Sequence, residues 1–281
     1  MKLKNILLSL LIIMTFMFVG CSTYLDYPDS EKYLKGGSEI TQKIDNLDIE
    51  WINGEIKIIN TENSNISFDE YSNKDTEDSN MLRYYVSGNT LFIKYGKKGY
   101  IDSSLEKKLI VYVPISQVFN SVDIETQSAN VYLSNIVGNE IDIETVSGDI
   151  DVLDINFKLV ELESVSGDVA LNTKFSISKL NTESVSGTVN IKIEEVSDIE
   201  VDTTSGTITI YLLNFSDLSI ESVSGNITIN IDGNAEFKIY SNVYINGSFP
   251  LQRAGNSYST LNGKNIGKIE TVSGMVSINK R

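Results

Sequence analysis

Apolar and polar positions alternate on both sides of a recurring Ser-Gly. The clearest copy is Ile143-Glu144-Thr145-Val146-Ser147-Gly148-Asp149-Ile150-Asp151-Val152. A period of two predicts strands, and the β-branched residues that fill the apolar positions favour them. The unit recurs around Gly167, Gly187, Gly206, Gly225 and Gly274. Ala129 takes the place of glycine in a further copy, and Gly54 centres a more divergent one (Ile49 to Ile58). From Ala129 to Gly225 the spacings are 19, 19, 20, 19 and 19 residues, and 49 residues then separate Gly225 from Gly274. One unit cannot bury its own apolar face, whereas stacked units bury a shared one.

This regularity predicts an all-β, single-domain β-solenoid of ~19-residue coils, each coil rising by about one strand spacing, ~4.8 Å. A sheet of successive hairpins is the alternative that gives the same alternation. The glycine of each unit is expected to supply a turn conformation that a Cβ would resist. The regular coils span 119–229, an insertion 230–268, and the last coil 269–281. Residues 44–118 break the spacing but still contain strand-like runs at Ile66–Glu70, Leu82–Ser87, Leu91–Tyr95 and Lys108–Val113, with a hairpin turn at Ser87-Gly88-Asn89. They are expected to form an atypical N-terminal cap that shields the open edge of the stack.

The first twenty residues have a different pattern. Lys2 and Lys4 precede a run from Ile6 to Val19 broken only by Ser9 and Thr15, and the segment closes Phe18-Val19-Gly20-Cys21. The run is short for a membrane span and suits a signal peptide. Its end resembles the bacterial lipobox, with Phe18 where an aliphatic residue is usual. Residues 1–20 are therefore expected to be removed and Cys21 lipidated. That would place the protein in the cell envelope, anchored through its N-terminal lipid to the extracytoplasmic face of a bacterial membrane. Residues 21–43, polar and containing Pro28 and Gly36-Gly37, read as a flexible tether, leaving 44–281 as the repeat domain.

Composition narrows the chemistry. The chain has no His, one Cys and a formal charge of −15; loss of Lys2 and Lys4 with the leader leaves 21 basic against 38 acidic residues, or −17. Without His, the commonest general base and metal ligand is missing, and a single Cys supports neither an intrachain disulfide nor a thiolate zinc site. The repeated serines have no base to activate them. The three arginines, Arg83, Arg253 and Arg281, lie outside the regular coils, where a lyase would need a strong base beside its carboxylates. No catalytic residue, cofactor or metal ligand set is assigned, and the protein is read as not an enzyme. The acidic surface disfavours nucleic acid and suits cations or cationic peptides, although solubility alone explains many acidic secreted proteins.

In a stack, one position of each unit becomes a column. Glu125, Glu144, Glu163, Glu183, Asp202, Glu221 and Glu270 form one such column, expected to face outward, and Asp123, Asp142, Glu161 and Glu200 lie two residues earlier on the same face. Carboxylates at ~5 Å repel by roughly 1 kcal/mol even in water. This face is the candidate interaction surface, set against the plainer reading of a solvated face that deters aggregation. The Ser/Thr column beside it (Thr126, Thr145, Ser164, Ser184, Thr203, Ser222, Thr271) should point inward, its hydroxyls bonding one another or nearby backbone.

Three features carry a family resemblance: the run Leu109-Ile110-Val111-Tyr112-Val113-Pro114, the repeated Ser/Thr-Val-Ser-Gly, and the closing Gly267-Lys268-Ile269-Glu270-Thr271-Val272-Ser273-Gly274. Over roughly 45–281 the chain resembles the bacterial putative-adhesin β-strand-repeat family, a domain of unknown function. The resemblance implies a non-catalytic surface scaffold or adhesin-like interaction domain whose partner is an extracellular polymer or protein. Some members of that family sit beside envelope-stress regulators. The alternative is therefore an envelope-stress sensor that captures cationic peptides or a membrane partner.

Overall fold

The computed structural model describes residues 24–101, 104–260 and 262–281. Cys21 and the leader lie outside the described residues. The chain divides after Gly148 into two compact units.

In the second unit, Leu159–Ser164, Ile177–Ser184, Glu195–Thr203 and Asn214–Ser222 pair in parallel, each with the strand one repeat later, so that Leu162 faces Thr182, Thr182 faces Val201, and Val201 faces Ile220. A second ladder runs through Ile150–Leu153, Val169–Thr173, Val189–Ile193, Ile208–Leu212 and Ile227–Ile231. Successive hairpins would pair neighbouring strands antiparallel. Parallel pairing of every second strand is the signature of coils, and it excludes the hairpin alternative. The two apolar columns, among them Leu162, Val201, Ile191, Ile210 and Ile229, are buried between the ladders. Each such side chain contributes about 1.5–3 kcal/mol relative to an exposed one.

Each corner between the ladders uses its whole motif. The first Ser or Thr accepts a hydrogen bond from the glycine N–H three residues on: Ser164 from Gly167 at 2.8 Å, Ser184 from Gly187 at 3.0 Å, Thr203 from Gly206 at 3.0 Å and Ser222 from Gly225 at 2.8 Å. The second Ser donates to a carbonyl of the preceding coil, as Ser205 does to Val185 at 3.1 Å and Ser224 to Thr204 at 3.2 Å. The inward hydroxyls thus satisfy corner backbone rather than one another.

The glycine's role differs from the expected one. None of these corner glycines has a positive φ. A Cβ on Gly206 would stand 1.9 Å from the Gly187 carbonyl oxygen, and one on Gly225 1.7 Å from that of Gly206. Glycine is required because the corners stack backbone on backbone, not because the turn is left-handed.

The insertion adds one further layer out of sequence order. Phe237–Ser241 and Ile245–Asn246 pair in parallel with Asn265–Thr271 and Val276–Lys280, which themselves pair with Asn214–Ser222 and Ile227–Ile231. Ser257–Ser259 then returns antiparallel along Phe237–Ser241.

The first unit is likewise out of order. The long strand Asn46–Thr61 pairs in parallel with Val118–Ser134 on one side, and with Thr90–Lys94 and Lys107–Pro114 on the other. The predicted hairpin is present, Arg83–Ser87 returning antiparallel to Thr90–Lys94 around Gly88, whose φ of 58° needs glycine. Ile66–Ser72 runs antiparallel along Lys107–Pro114 and covers that edge.

Residues 24–43 are not the flexible tether expected. Tyr24–Leu25 pairs with Gly99–Tyr100, Leu34–Lys35 with Arg83–Tyr84, and Ser38–Ile40 with Ile66–Phe68. Tyr27 is buried and fixes its own segment: its hydroxyl donates to the Gly96 carbonyl at 2.9 Å and accepts from the Lys98 amide at 3.1 Å.

Candidate interaction face

The sequence places an acid immediately after the first apolar residue of each unit, and parallel register does the rest. In the first unit three strands lie side by side, so Asp48, Asp123 and Asp142 form one row and Glu50, Glu125 and Glu144 the next. Neighbouring strands stand about 4.8 Å apart, so each carboxylate meets like charge on both sides of the central strand.

One cation closes these rows. Lys94 is in register with Glu50, and its Nζ lies 2.8 Å from Asp48 and 2.5 Å from Glu50 with only 4% of its side chain exposed. Burial works to pull Lys94 down, but Glu50 and Asp48 outweigh it and hold the ammonium above its ordinary value. Tyr33 lies over the same end. Burial raises its phenol first, and the charges of Asp48 and Glu50 add to this. Sequence pattern places Lys94 only within the strand-like run Leu91–Tyr95. Its role depends on a pairing 44 residues apart, which local pattern does not reveal.

No comparable relief is given to Glu125. Desolvation, followed by repulsion from Glu50, Asp123 and Glu144, raises its carboxyl from 4.5 to about 7. Asp123 is raised too, by burial first and then by Asp48. Both side chains remain substantially solvent-accessible, so the repulsion is screened and the face stays open to a partner. Among the described residues, no group of three or more carboxylates converges as a metal site.

The second unit carries the column Glu163, Glu183, Asp202, Glu221 and Glu270 in strict register. It is not the uniformly outward, solvated face expected. Asp202 and Glu221 are buried, at 8% and 3% exposure. Lys268 reaches Glu270 at 2.6 Å and Glu221 at 3.5 Å, so this end of the column is a partly buried ion cluster. Of the seven residues of the predicted acidic column, Glu125 and Glu144 are in register in the first unit, and Glu163, Glu183, Asp202, Glu221 and Glu270 are in register in the second.

Another buried charge lies in the first unit. The Lys107 side chain is fully buried, ion-paired with Glu70 and donating to the carbonyls of Asn80 (2.7 Å) and Tyr95, with its ammonium 4.8 Å from the Trp51 ring centroid. Burial pulls it down to about 8 despite Glu70. It pins the corner region to the edge strands, and nothing in its surroundings leaves the amine accessible.

Parallel coils, motif residues consumed in corners and register-aligned outer columns define a β-solenoid-like repeat domain. The chain belongs to the Toastrack DUF4097 family, whose model matches residues 44–279. A comparison with curated proteins finds no match. Among solved structures, a "putative adhesin" from Parabacteroides distasonis is 9% identical with a TM-score of 0.51, covering 89% of this chain and 97% of its own. A "putative adhesin" from Bacteroides fragilis is 15% identical with a TM-score of 0.48, covering 89% and 98%. A "putative cell adhesion protein" from Clostridium sporogenes is 13% identical with a TM-score of 0.29, covering 89% and 100%. At these identities the likeness is one of fold.

Proposed function

We propose that this protein is a non-catalytic, adhesin-like interaction domain held on the extracytoplasmic face of a bacterial membrane by a lipid on Cys21. The observation that carries the reading is the register of the parallel strands. It repeats one side-chain type at each coil and so builds extended ladders suited to multipoint contact with an extracellular polymer or protein. The repeated hydroxyls support a scaffold role, because they are buried as acceptors for corner amides and are not poised as nucleophiles. The names of the structural neighbours are in keeping with a place on the cell surface.

A second reading, capture of cationic peptides or a membrane partner as part of envelope-stress sensing, is favoured by one observation. In the first unit Lys94 pairs with Asp48 and Glu50 at one end of the rows, while burial, with repulsion from Glu50, Asp123 and Glu144 added to it, raises Glu125 to about 7. A cation at that face would relieve the repulsion.

Brief cross-linking on intact cells, followed by recovery of the anchored protein and identification of what is joined to it, tests both readings. Recovery of an extracellular polymer or surface protein supports the first, and a basic peptide or regulatory membrane protein supports the second. Turnover of a polysaccharide that is abolished by one acidic substitution would overturn both.

A further inference from the structure

The N-terminal segment does more than join a lipid to a body. Tyr24 pairs through its backbone with Tyr100, and the two rings meet edge-on at 5.1 Å. Both are exposed, Tyr24 to 44% and Tyr100 to 80%. The loop that carries Tyr100 also carries Lys97 and Lys98, both exposed, with Lys98 ion-paired to Asp26 of the N-terminal segment. Among the described residues, nothing covers these two edge-on rings, which stand beside lysines on an otherwise acidic chain.

The distance to the anchor decides what they meet. On the reading that Cys21 is acylated, only Ser22 and Thr23 separate it from Tyr24. A chain gains at most about 3.6 Å per residue, so the Tyr24 backbone stays within about 11 Å of the lipid-bearing residue. The headgroup layer on each side of a bilayer is itself about 5–8 Å deep. A free 22-residue tether would instead wander over roughly 25 Å. The pairings of residues 24–40 with the first unit remove that slack.

We infer that the surface formed by Tyr24, Tyr100, Lys97 and Lys98 docks on the phospholipid headgroup layer, making the acylated N-terminus a rigid mount for the first unit. Tyrosine suits this layer, with an apolar ring and a polar tip. The lysines meet headgroup phosphates, while the acidic remainder of the chain is repelled by anionic lipid. Asp26, Asp29 and Glu31 lie on the same segment and oppose the lysines, with Lys98 engaged by Asp26 and Lys32 by Asp29. Ring insertion is therefore the main attraction, and charge sets the orientation.

The test uses the full acylated chain in vesicles of phosphatidylcholine and phosphatidylglycerol. Tyr100→Trp, and separately Tyr24→Trp, are read against the unsubstituted chain, whose Trp51 is buried. The introduced indole is expected to shift to the blue, to lose quenching by iodide and to gain quenching by lipid brominated near the top of its chains. Lys97→Glu/Lys98→Glu, added to either variant, is expected to restore part of the iodide quenching. Full iodide quenching in vesicles at both positions, with the mass of the N-terminal peptide showing the lipid on Cys21, overturns the docking and leaves the anchor intact. A mass without lipid overturns the anchor reading, and the docking with it.

Discussion

The amide of Gly187 donates to the buried Oγ of Ser184 at 3.0 Å, and the same bond closes the corners at Gly148, Gly167, Gly206, Gly225 and Gly274. Ser184→Ala removes the acceptor and leaves that N–H unsatisfied, at a cost of about 1–3 kcal/mol. Ser184→Thr keeps the hydroxyl, as Thr203 does in the next coil, and should cost far less. Urea unfolding of the two variants checks this. Equal stability of Ser184→Ala and the parent would refute the role given to the hydroxyl.

Gly206→Ala places a methyl against the Gly187 carbonyl, so coils on either side must separate or shift. Overpacking of this kind costs about 1–3 kcal/mol or more. Ala129 occupies the equivalent position with Gly54 opposite it in the paired strand, and Ala129→Gly should cost about 0.5–1 kcal/mol in conformational entropy together with the packing of one buried methyl, about 1 kcal/mol. Thermal melts of both variants distinguish steric stacking from turn preference. A positive-φ requirement, the expectation from sequence, is excluded by the backbone at Gly206 and holds only at Gly54 of the divergent copy, whose φ is 93°.

The carboxylate rows make stability depend on pH in a stated direction. The folded-state carboxyl of Glu125 lies near 7, above its ordinary 4.5, so the folded chain binds that proton more tightly than the unfolded chain. Its contribution is therefore unfavourable above about pH 7 and is relieved as pH falls toward 4.5. Glu125→Gln should flatten this part of the profile, seen as a smaller gain in Tm on going from about pH 8 to about pH 5. Lys107, depressed to about 8, acts in a separate window: its burial penalty is present below that value and is lost as pH rises toward 10.5.

Removing one member of the Lys107–Glu70 pair should be severe. Lys107→Ala leaves Glu70, itself mostly buried, without its cation, which costs about 3–5 kcal/mol. Replacing both by apolar residues of similar volume should recover most of that loss. A double-mutant cycle by urea denaturation measures the difference, and equal loss in the single and double variants would contradict the pairing.

Thr182 stands in the buried column between Leu162 and Val201, with its hydroxyl lacking a hydrogen-bond partner. Thr182→Val should raise stability by about 1 kcal/mol, because it removes an unsatisfied group while keeping the shape. A lower Tm in this variant would show that the hydroxyl is satisfied in solution.

The coils were legible because each is a local pattern: Ile220, Ser222 and Gly225 declare a strand, an inward hydroxyl and a corner within six residues. What lay between coils was not legible. The close approach of Gly225 to Gly206 is a property of stacking, whereas the local pattern points to turn geometry. The order of layers was also hidden, since Asn46–Thr61 sits between Lys107–Pro114 and Val118–Ser134 although it precedes both in sequence. Polar composition around Pro28 and Gly36-Gly37 concealed the fact that Tyr27 and Ile40 are buried. The acidic column is legible, but the burial of Glu221 beside Lys268 depends on a strand about 50 residues further on.

The central claim, an interaction domain whose aligned outer ladders bind a cell-envelope partner, is tested most directly by one binding isotherm. The purified mature chain, unsubstituted and as Glu125→Gln/Glu144→Gln, is titrated onto envelopes from cells lacking their own copy. The account predicts saturable binding by the unsubstituted chain, with no change to the envelope polymers. The substituted chain binds more weakly, and added salt weakens binding further; equal binding by the two chains would contradict the role of the carboxylate rows. Non-saturable retention of the unsubstituted chain, or release of cleaved polysaccharide, would contradict the account.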